Sequence, residues 1–423
     1  MPDYKMKNSG IEWIGEIPQH WNIRRIKDLI TLKSGNGITS LEINKNGKYP
    51  VYGGNGIRGY IDTYTHSGNR LLIGRQGALC GNIHNVSGNF FASEHAVVCT
   101  PYFPLNIRWL EELLRIMNLN QYSNAAAQPG LAVDKIKRLK IPFPKKNERE
   151  AIANYLNKTC KIINKAISIK QQQLEKLETY QKSVIHEAVT KGLDKKVAMK
   201  DSGVKWLGEI PEHWNSSQLK NFGLGTMTNG LFKKKEFFGR GTKLVNVTDL
   251  YQPDNIIKPS SLDRVFCTVD EIIRYRVAVG DIFFVRSSLK MEGIAISAVV
   301  EKLDEATVFE CHIIRFNPNR DRSNPKFINY QINSTCIHNR LVSLSKTVTM
   351  TTISQNKIAS IKLAKPPLKE QTIIANYLDN ICKKINNSKI IIEQQIEKLT
   401  QYRQSLIHEC VTGKKRIYQG KIN

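Results

Sequence analysis

The sequence predicts an α+β protein in which two globular mixed α/β domains are separated by a pair of long antiparallel coiled-coil helices, with an internal pseudo-twofold repeat. Three observations carry this reading. Residues 148–190 contain neither Gly nor Pro and bear a regular apolar seam. Residues 370–412 repeat them without a gap at an offset of 222. A Trp-rich segment near the N-terminus recurs at an offset of 193.

In the first helical segment the seam is Ile152, Leu156, Cys160, Ile163, Ile167, Leu174, Leu177, Val184 and Ala188, with Lys170 and Gln181 at its two polar positions. The steps alternate between three and four residues, the spacing of a coiled coil. At about 1.5 Å of rise per residue these 43 residues make a rod of ~65 Å. A helix that long cannot bury its stripe alone and requires a partner. The second segment supplies one: Ile374, Leu378, Cys382, Ile385, Ile392, Ile396, Leu399, Leu406 and Cys410 continue the seam, with Lys389 and Arg403 as its polar positions. Lys170 aligns with Ile392, and Lys389 with Ile167, an asymmetry able to fix the register.

Ahead of each body stands an anchor. Residues 9–21 read SGIEWIGEIPQHW and 202–214 read SGVKWLGEIPEHW, identical at nine of thirteen positions and holding four of the five Trp. Trp, Pro and Gly at fixed spacing predict a rigid packed segment, and His20 and His213 are read as structural rather than catalytic. The bodies that follow alternate β-rich runs with Gly and Asn turns. Leu71 to Arg75 corresponds to Ile282 to Arg286 at offset 211, Glu94 to Glu310 at 216, and Asp134-Lys135-Ile136 to Asn356-Lys357-Ile358 at 222. The second body therefore carries 29 extra residues, expected to be spread over several loops. A repeated frame with diverged loops is the pattern of two binding modules with different targets. The divisions expected are 1–144, 145–192 for the first helix, 193–366, and 367–423 for the second helix and tail.

Chain length dictates the layout. Only the twelve residues 191–202 separate the first helix from the second anchor, a reach of at most ~43 Å. The second body is thus expected at the far end of the first helix, and the second helix must run back along it.

Lys and Arg exceed Asp and Glu by 63 to 37, a net charge of +26. That excess points to a polyanion, most simply nucleic acid. The opening MPDYKMKNSG lacks an apolar secretory core, and no apolar run approaches the roughly 20 residues that span a bilayer. The eight Cys show no zinc spacing, and three lie on the helix seams. A cytoplasmic setting with no membrane partner and no metal site is expected.

The sequence offers no catalytic constellation. Gly54-Asn55-Gly56-Ile57-Arg58-Gly59 is a literal GxGxxG, but a β-like run follows where a dinucleotide site needs a helix. The Asn-Pro pairs at Asn317-Pro318 and Asn324-Pro325 lack the second Pro and aromatic residue of an adenine methyltransferase. No P-loop, HExxH or GxSxG occurs. Groups suited to DNA are plentiful instead. The first body offers Arg58, Arg70, Arg75, Gln76, Asn82, His84 and Gln128. The second offers Lys233, Lys234, Lys235, Arg240, Lys243, Arg286, Ser287, Ser288, Lys346, Thr347 and Thr349. Arg and Gln can make bidentate contacts to base edges, while Lys, Ser and Thr suit phosphates. Glu94 and Glu310 are read as structural acceptors.

Together the WIGEIPxHW anchors, YPVYGGNGIRGY, LIGRQGALCGN with SEHAVV, GDIFFVRSS and the paired IANYL helix starts resemble the specificity subunit of type I restriction–modification systems, over almost the whole chain. Two departures stand out: Asn157 replaces the Asp379 of the second copy, and the second body lacks the GGNG stretch. The resemblance implies two target-recognition domains, each reading half of an asymmetric bipartite site on double-stranded DNA, with the helices as a ruler. It further implies two modification subunits carrying S-adenosylmethionine, which methylate adenine, and two restriction subunits using ATP and Mg. In that picture this chain is no enzyme and holds no cofactor. Two alternatives share these residues: an orphan DNA-binding protein without active partners, and a self-sufficient DNA-modifying enzyme, against which the missing motifs weigh.

Overall fold

The computed structural model describes residues 5–123, 130–347 and 350–418. Two uninterrupted helices run Lys146–Lys191 and Leu368–Thr412, each starting two residues before the expected segment. Pro144 precedes the first, and Pro366 and Pro367 precede the second, where a proline's missing N–H is harmless. Both helices end alike: Gly192 and Gly413 take φ of +74° and +79°, and the Thr190 and Thr412 hydroxyls each donate to the carbonyl four residues back at 2.6 Å.

The chain forms two compact units, residues 1–171 with 393–423, and residues 172–392. In the first unit Ile152, Leu156, Cys160 and Ile163 pack against Leu406, Ile407, Cys410 and Val411. In the second, Val184, Ala188 and Val189 pack against Ile374, Ala375 and Leu378. Early turns of one helix meet late turns of the other in both units, so the pair is antiparallel. The seam is unevenly buried. Ile152, Leu156, Ile163, Ile374, Leu378, Ile385 and Leu406 are buried, whereas Ile167, Leu174, Leu177, Val184, Ile392, Ile396 and Leu399 are half-exposed. Two helices alone cover only one side of a seam residue; near each domain a third element completes the cover. Three of the polar seam positions are hydrogen-bonded across the helix pair: Lys389 Nζ donates to Gln181 Oε1 at 2.8 Å in the second unit, and Arg403 donates to Asn164 in the first.

The body of the first unit is built on a four-stranded antiparallel sheet in the order Ile30–Ser34, Ala96–Pro101, Arg70–Gly74, Ile83–Val86. Helix Ile107–Ile116 buries Trp109, Leu110, Leu113 and Leu114 in the same core, its N-terminus capped by Asn106 Oδ1 at 3.1 Å from the Trp109 N–H. A hairpin of Tyr49–Gly53 and Gly56–Ile61 turns at Gly54-Asn55, as the sequence predicts. The second body repeats this plan with the order Thr228–Asn229, Ile313–Phe316, Ile282–Val285, Ser297–Val300, then Ile256–Ile257. Asn324 caps its helix Pro325–Asn333, at 3.1 Å from the Phe327 N–H. Of the 29 extra residues, sixteen fall in one stretch: the offset is 195 at Gly35 and Gly230, which press alike on Ala92 and Phe309, and 211 at Arg75 and Arg286. That stretch supplies strands Phe238–Val245 and Asp263–Val265, which join Thr307–Phe309 in a separate sheet.

The anchors are pinned to the helix starts. Trp21 and Trp214 are buried, and their indole N–H groups donate to Glu148 Oε1 at 3.2 Å and Glu370 Oε2 at 3.0 Å. His20 and His213 each place Nε2 2.9 Å from the same carboxylate. A Glu in the first turn also faces the positive end of the helix dipole. Next to each clamp a two-stranded ladder, Asn22–Arg25 with Lys140–Phe143 and Asn215–Gln218 with Lys362–Lys365, brings the chain's way in beside its way out.

Candidate nucleic-acid interface

Arg75 and Arg286 leave their strands in the same backbone setting. The Arg75 N–H donates to His95 O at 2.8 Å, and its carbonyl accepts from Leu131 N at 2.9 Å. The Arg286 N–H donates to His312 O at 2.9 Å, and its carbonyl accepts from Ile353 N at 3.0 Å. The next residues match as well: Gln76 bridges Gly130, and Ser287 pairs with Thr352. These bonds correct one expected correspondence. His95 and His312 differ by 217, as do the bridging residues Ser93 and Glu310, so Glu94 is equivalent to Cys311 rather than to Glu310. Glu310 is a structural acceptor, taking the Val247 N–H on Oε1 at 3.1 Å, and Glu94 pairs with His95 at 3.0 Å.

In the first body the glycines bring several candidates together. A Cβ on Gly74 would lie 1.9 Å from Gly54 O, and one on Gly54 would lie 2.6 Å from Gln76 O, so the hairpin turn crosses the strand end only because both are Gly. Asn82 Nδ2 then donates to Asn55 Oδ1 at 2.9 Å, and the Gly56 backbone approaches the His84 ring. Arg58, Gln76 and Asn82 are exposed there, while Arg75 is half-buried and donates to Ser34 Oγ at 3.2 Å. Burial, and to a lesser degree Arg115, holds the His84 imidazole below its usual pKa. Arg70 lies at the opposite end of its strand, donating to its neighbour Asn69 O at 3.0 Å, and does not join the group. Gln128 lies outside the described residues.

In the second body a small sheet gathers Ser287, Ser288, Lys346 and Thr347, because Thr351–Thr352 pairs with both Ser287–Ser288 and Lys346–Thr347. Arg286 is exposed beside it; Ser287 Oγ bonds His312 Nδ1 at 2.7 Å, and Ser288 is buried. Thr349 lies outside the described residues. The basic cluster divides. Lys234, Lys235 and Arg240 are exposed. Lys233 donates to Glu271 at 2.8 Å, and Lys243 is buried with its Nζ 2.7 Å from Asp304, 3.3 Å from Glu305 and 2.8 Å from Pro259 O. Lys243 is therefore engaged in a surface ion pair with the exposed Asp304 and Glu305, not an open phosphate contact, because acids distant in sequence close over it. Asp249 is pushed up to about 6 by burial, with Asp263 and Glu310 adding to the effect.

Among the described residues, Glu310, Cys311 and His312 bring ligand-type atoms within 4.8 Å of one another. Glu310 already accepts the Val247 N–H, and burial raises the Cys311 pKa, keeping the thiol neutral; both disfavour a cation. Residues that sequence reasoning passed over are Asn55, Leu79 and Leu289. The leucines are solvent-exposed in the loops that follow Arg75 and Arg286, four residues after the first arginine and three after the second, and the common loop rather than a common position relates them.

The comparisons fit this geometry. Residues 18–179 and 267–398 match the family model for the type I restriction modification DNA specificity domain. The chain is 42% identical over 145 residues to the type I restriction enzyme EcoprrI specificity subunit of Escherichia coli, a match covering 33% of this chain and 36% of that protein. It is 21% identical over 416 residues to the type I restriction enzyme MjaVIII specificity subunit of Methanocaldococcus jannaschii, covering 95% of this chain and 94% of that one. A chain solved in work on the structural basis of complex assembly and conformational transition of the type I R-M system superposes with a TM-score of 0.70 at 14% identity, over 94% of this chain and 99% of its own.

Proposed function

The chain belongs to the family of type I restriction–modification DNA specificity subunits, and from that premise we propose that it reads a split, asymmetric site on double-stranded DNA, one half per domain. The observation that carries this reading is the doubled backbone frame at Arg75 and Arg286 with unlike residues hung on it. Residues 1–144 and 193–366 are the target-recognition domains in this reading, and 145–192 and 367–423 the spacer segments. The net charge of +26 supports a polyanionic partner. The two helices act as a ruler that sets the spacing between half-sites.

The same helices dock two modification subunits, and through them two restriction subunits. Support comes from apolar residues left in solvent at equivalent places of both helices, Ile169 with Ile391 and Tyr180 with Tyr402. S-adenosylmethionine, ATP and Mg belong to those partners, which methylate adenine; the chain described here selects the site and does no chemistry. It works in the cytoplasm. Among the described residues no helix is long and apolar enough to cross a membrane.

A genome-wide map of methylated adenine in the host, with and without this gene, tests the reading. The expected outcome is a split motif that vanishes on deletion. A motif that persists would overturn it and favour an orphan DNA-binding protein. Inserting four residues beside Gln172, inside the first long helix, is expected to change the spacer length or abolish modification; an unchanged spacer would overturn the ruler.

A further inference from the structure

The loops that follow the paired arginines close in the same way. Gly81 N donates to Gly74 O at 2.7 Å, and Ala295 N donates to Val285 O at 2.9 Å. Both closing residues take positive φ, +91° at Gly81 and +60° at Ala295, although the second is not a glycine. Between these fixed points the second loop is three residues longer, since the offset rises from 211 to 214. The two loops share almost no sequence: QGALC in one, SSLKMEGI in the other. Each nevertheless carries a leucine in solvent, Leu79 at 51% and Leu289 at 84% exposure.

A single exposed leucine is ordinary. The same kind of side chain in the same loop of two diverged domains, next to the Arg that both domains hold in one backbone setting, is a repeated feature in want of a role. Neither leucine contributes to its core, so the fold does not explain them. In the second domain Leu289 stands between Arg286 and Lys290, two cations that attract phosphates, with Glu292 the one acid lining the same depression. It also borders an open, mostly apolar depression of about 600 Å³, shared with Tyr251, Ile296 and Met350. Apolar side chains presented among cations suit one occupant well: a base step of bent or locally unstacked DNA, into which Leu, Phe or Met can wedge.

We propose that Leu79 and Leu289 are positioning residues that enter the DNA, one at each half-site, and hold a base step unstacked. The inference rests on the recognition reading above and adds to it the element that deforms the duplex. The arginines then supply base-edge contacts, while the leucines supply the apolar contact that favours sequences cheap to unstack.

The test uses the full chain and a duplex bearing its mapped site, with 2-aminopurine replacing adenine in either half. The wild-type protein is expected to raise 2-aminopurine fluorescence in both halves. Leu289→Ala should abolish the rise in one half only, and Leu79→Ala in the other, each weakening binding about tenfold. Leu289→Met should retain the signal. Because both side chains lie in solvent, thermal midpoints should not move. Variants that bind and fluoresce like the wild type would overturn the wedge while leaving recognition standing. A wild-type chain that selects no duplex would overturn both.

Discussion

The two recognition domains share their hydrogen bonds and differ in nearly everything hung on them. Around Arg75 and Arg286 the offset between copies is constant within each bonded strand, and it steps up only in the loops between strands. In the first domain glycines let a hairpin cross the strand end and set Asn55 and Asn82 beside Gln76. In the second, Val285 stands where Gly74 does, and the Ser287–Thr352 pair that matches the Gln76–Gly130 bridge widens into a three-stranded ladder of Ser287–Ser288, Thr351–Thr352 and Lys346–Thr347. The difference teaches that the hydrogen bonds hold one backbone frame in both domains while the loops diverge; in the proposed reading the frame sets where a base is met and the loops decide which base. Stability belongs to the frame and specificity to what it carries.

The largest expected effect follows directly. Exchanging residues 33–142 for the corresponding body of another family member should replace one half of the recognised motif completely and leave the other half intact; a methylation map in which both halves change would break the comparison. Next comes the shared frame itself. Leu156 and Leu378 are equivalent and fully buried, so Leu156→Asp and Leu378→Asp should each destabilise their own unit by on the order of 4 kcal/mol, whereas the half-exposed Leu177→Asp should lose only about 1 kcal/mol. Denaturant unfolding followed by hydrogen exchange in each unit would reveal unequal effects at the two equivalent sites. Smaller again, Arg75→Ala and Arg286→Ala should each weaken binding by about 1–3 kcal/mol, relaxing selectivity in opposite halves, as read by binding to half-site variants. The smallest effect concerns Asp249. Its folded pKa of about 6 lies above the ordinary 3.8, so the folded state holds the proton more tightly. Its contribution to stability is complete below about pH 4 and is lost as pH rises through about 6. Asp249→Asn should flatten that part of the pH profile of thermal unfolding in the second unit.

Much of this plan was legible in the sequence because it is written twice. The seam positions, the anchors and the antiparallel pairing follow from periodicity, an exact offset and chain reach. Burial along the seam was not legible, since it depends on the third element that covers Leu156 but not Leu177. Lys243 read as a free cation because Asp304 and Glu305, which close on it, lie some sixty residues away. Glu94 and Glu310 align by residue type, while the backbone bonds set Glu94 against Cys311, a one-residue slip that the letters alone do not carry. The gathering of Gln76, Asn55 and Asn82 needed the two glycine approaches, whose partners no spacing rule identifies.

One asymmetry bears on how the chain comes into being. The second unit is a single stretch, residues 172–392, but the first is split, and its core needs residues from 393 onward. During synthesis the N-terminal body emerges early, yet Leu406, Ile407, Cys410 and Val411, which cover Ile152, Leu156 and Cys160, leave the ribosome only after the whole of 172–392. The unit that begins first therefore finishes second. Nascent chains arrested with residue 392 clear of the exit tunnel should already protect 172–392 from protease, while the early turns of the first long helix stay open to cleavage until the final turns of the second have been made.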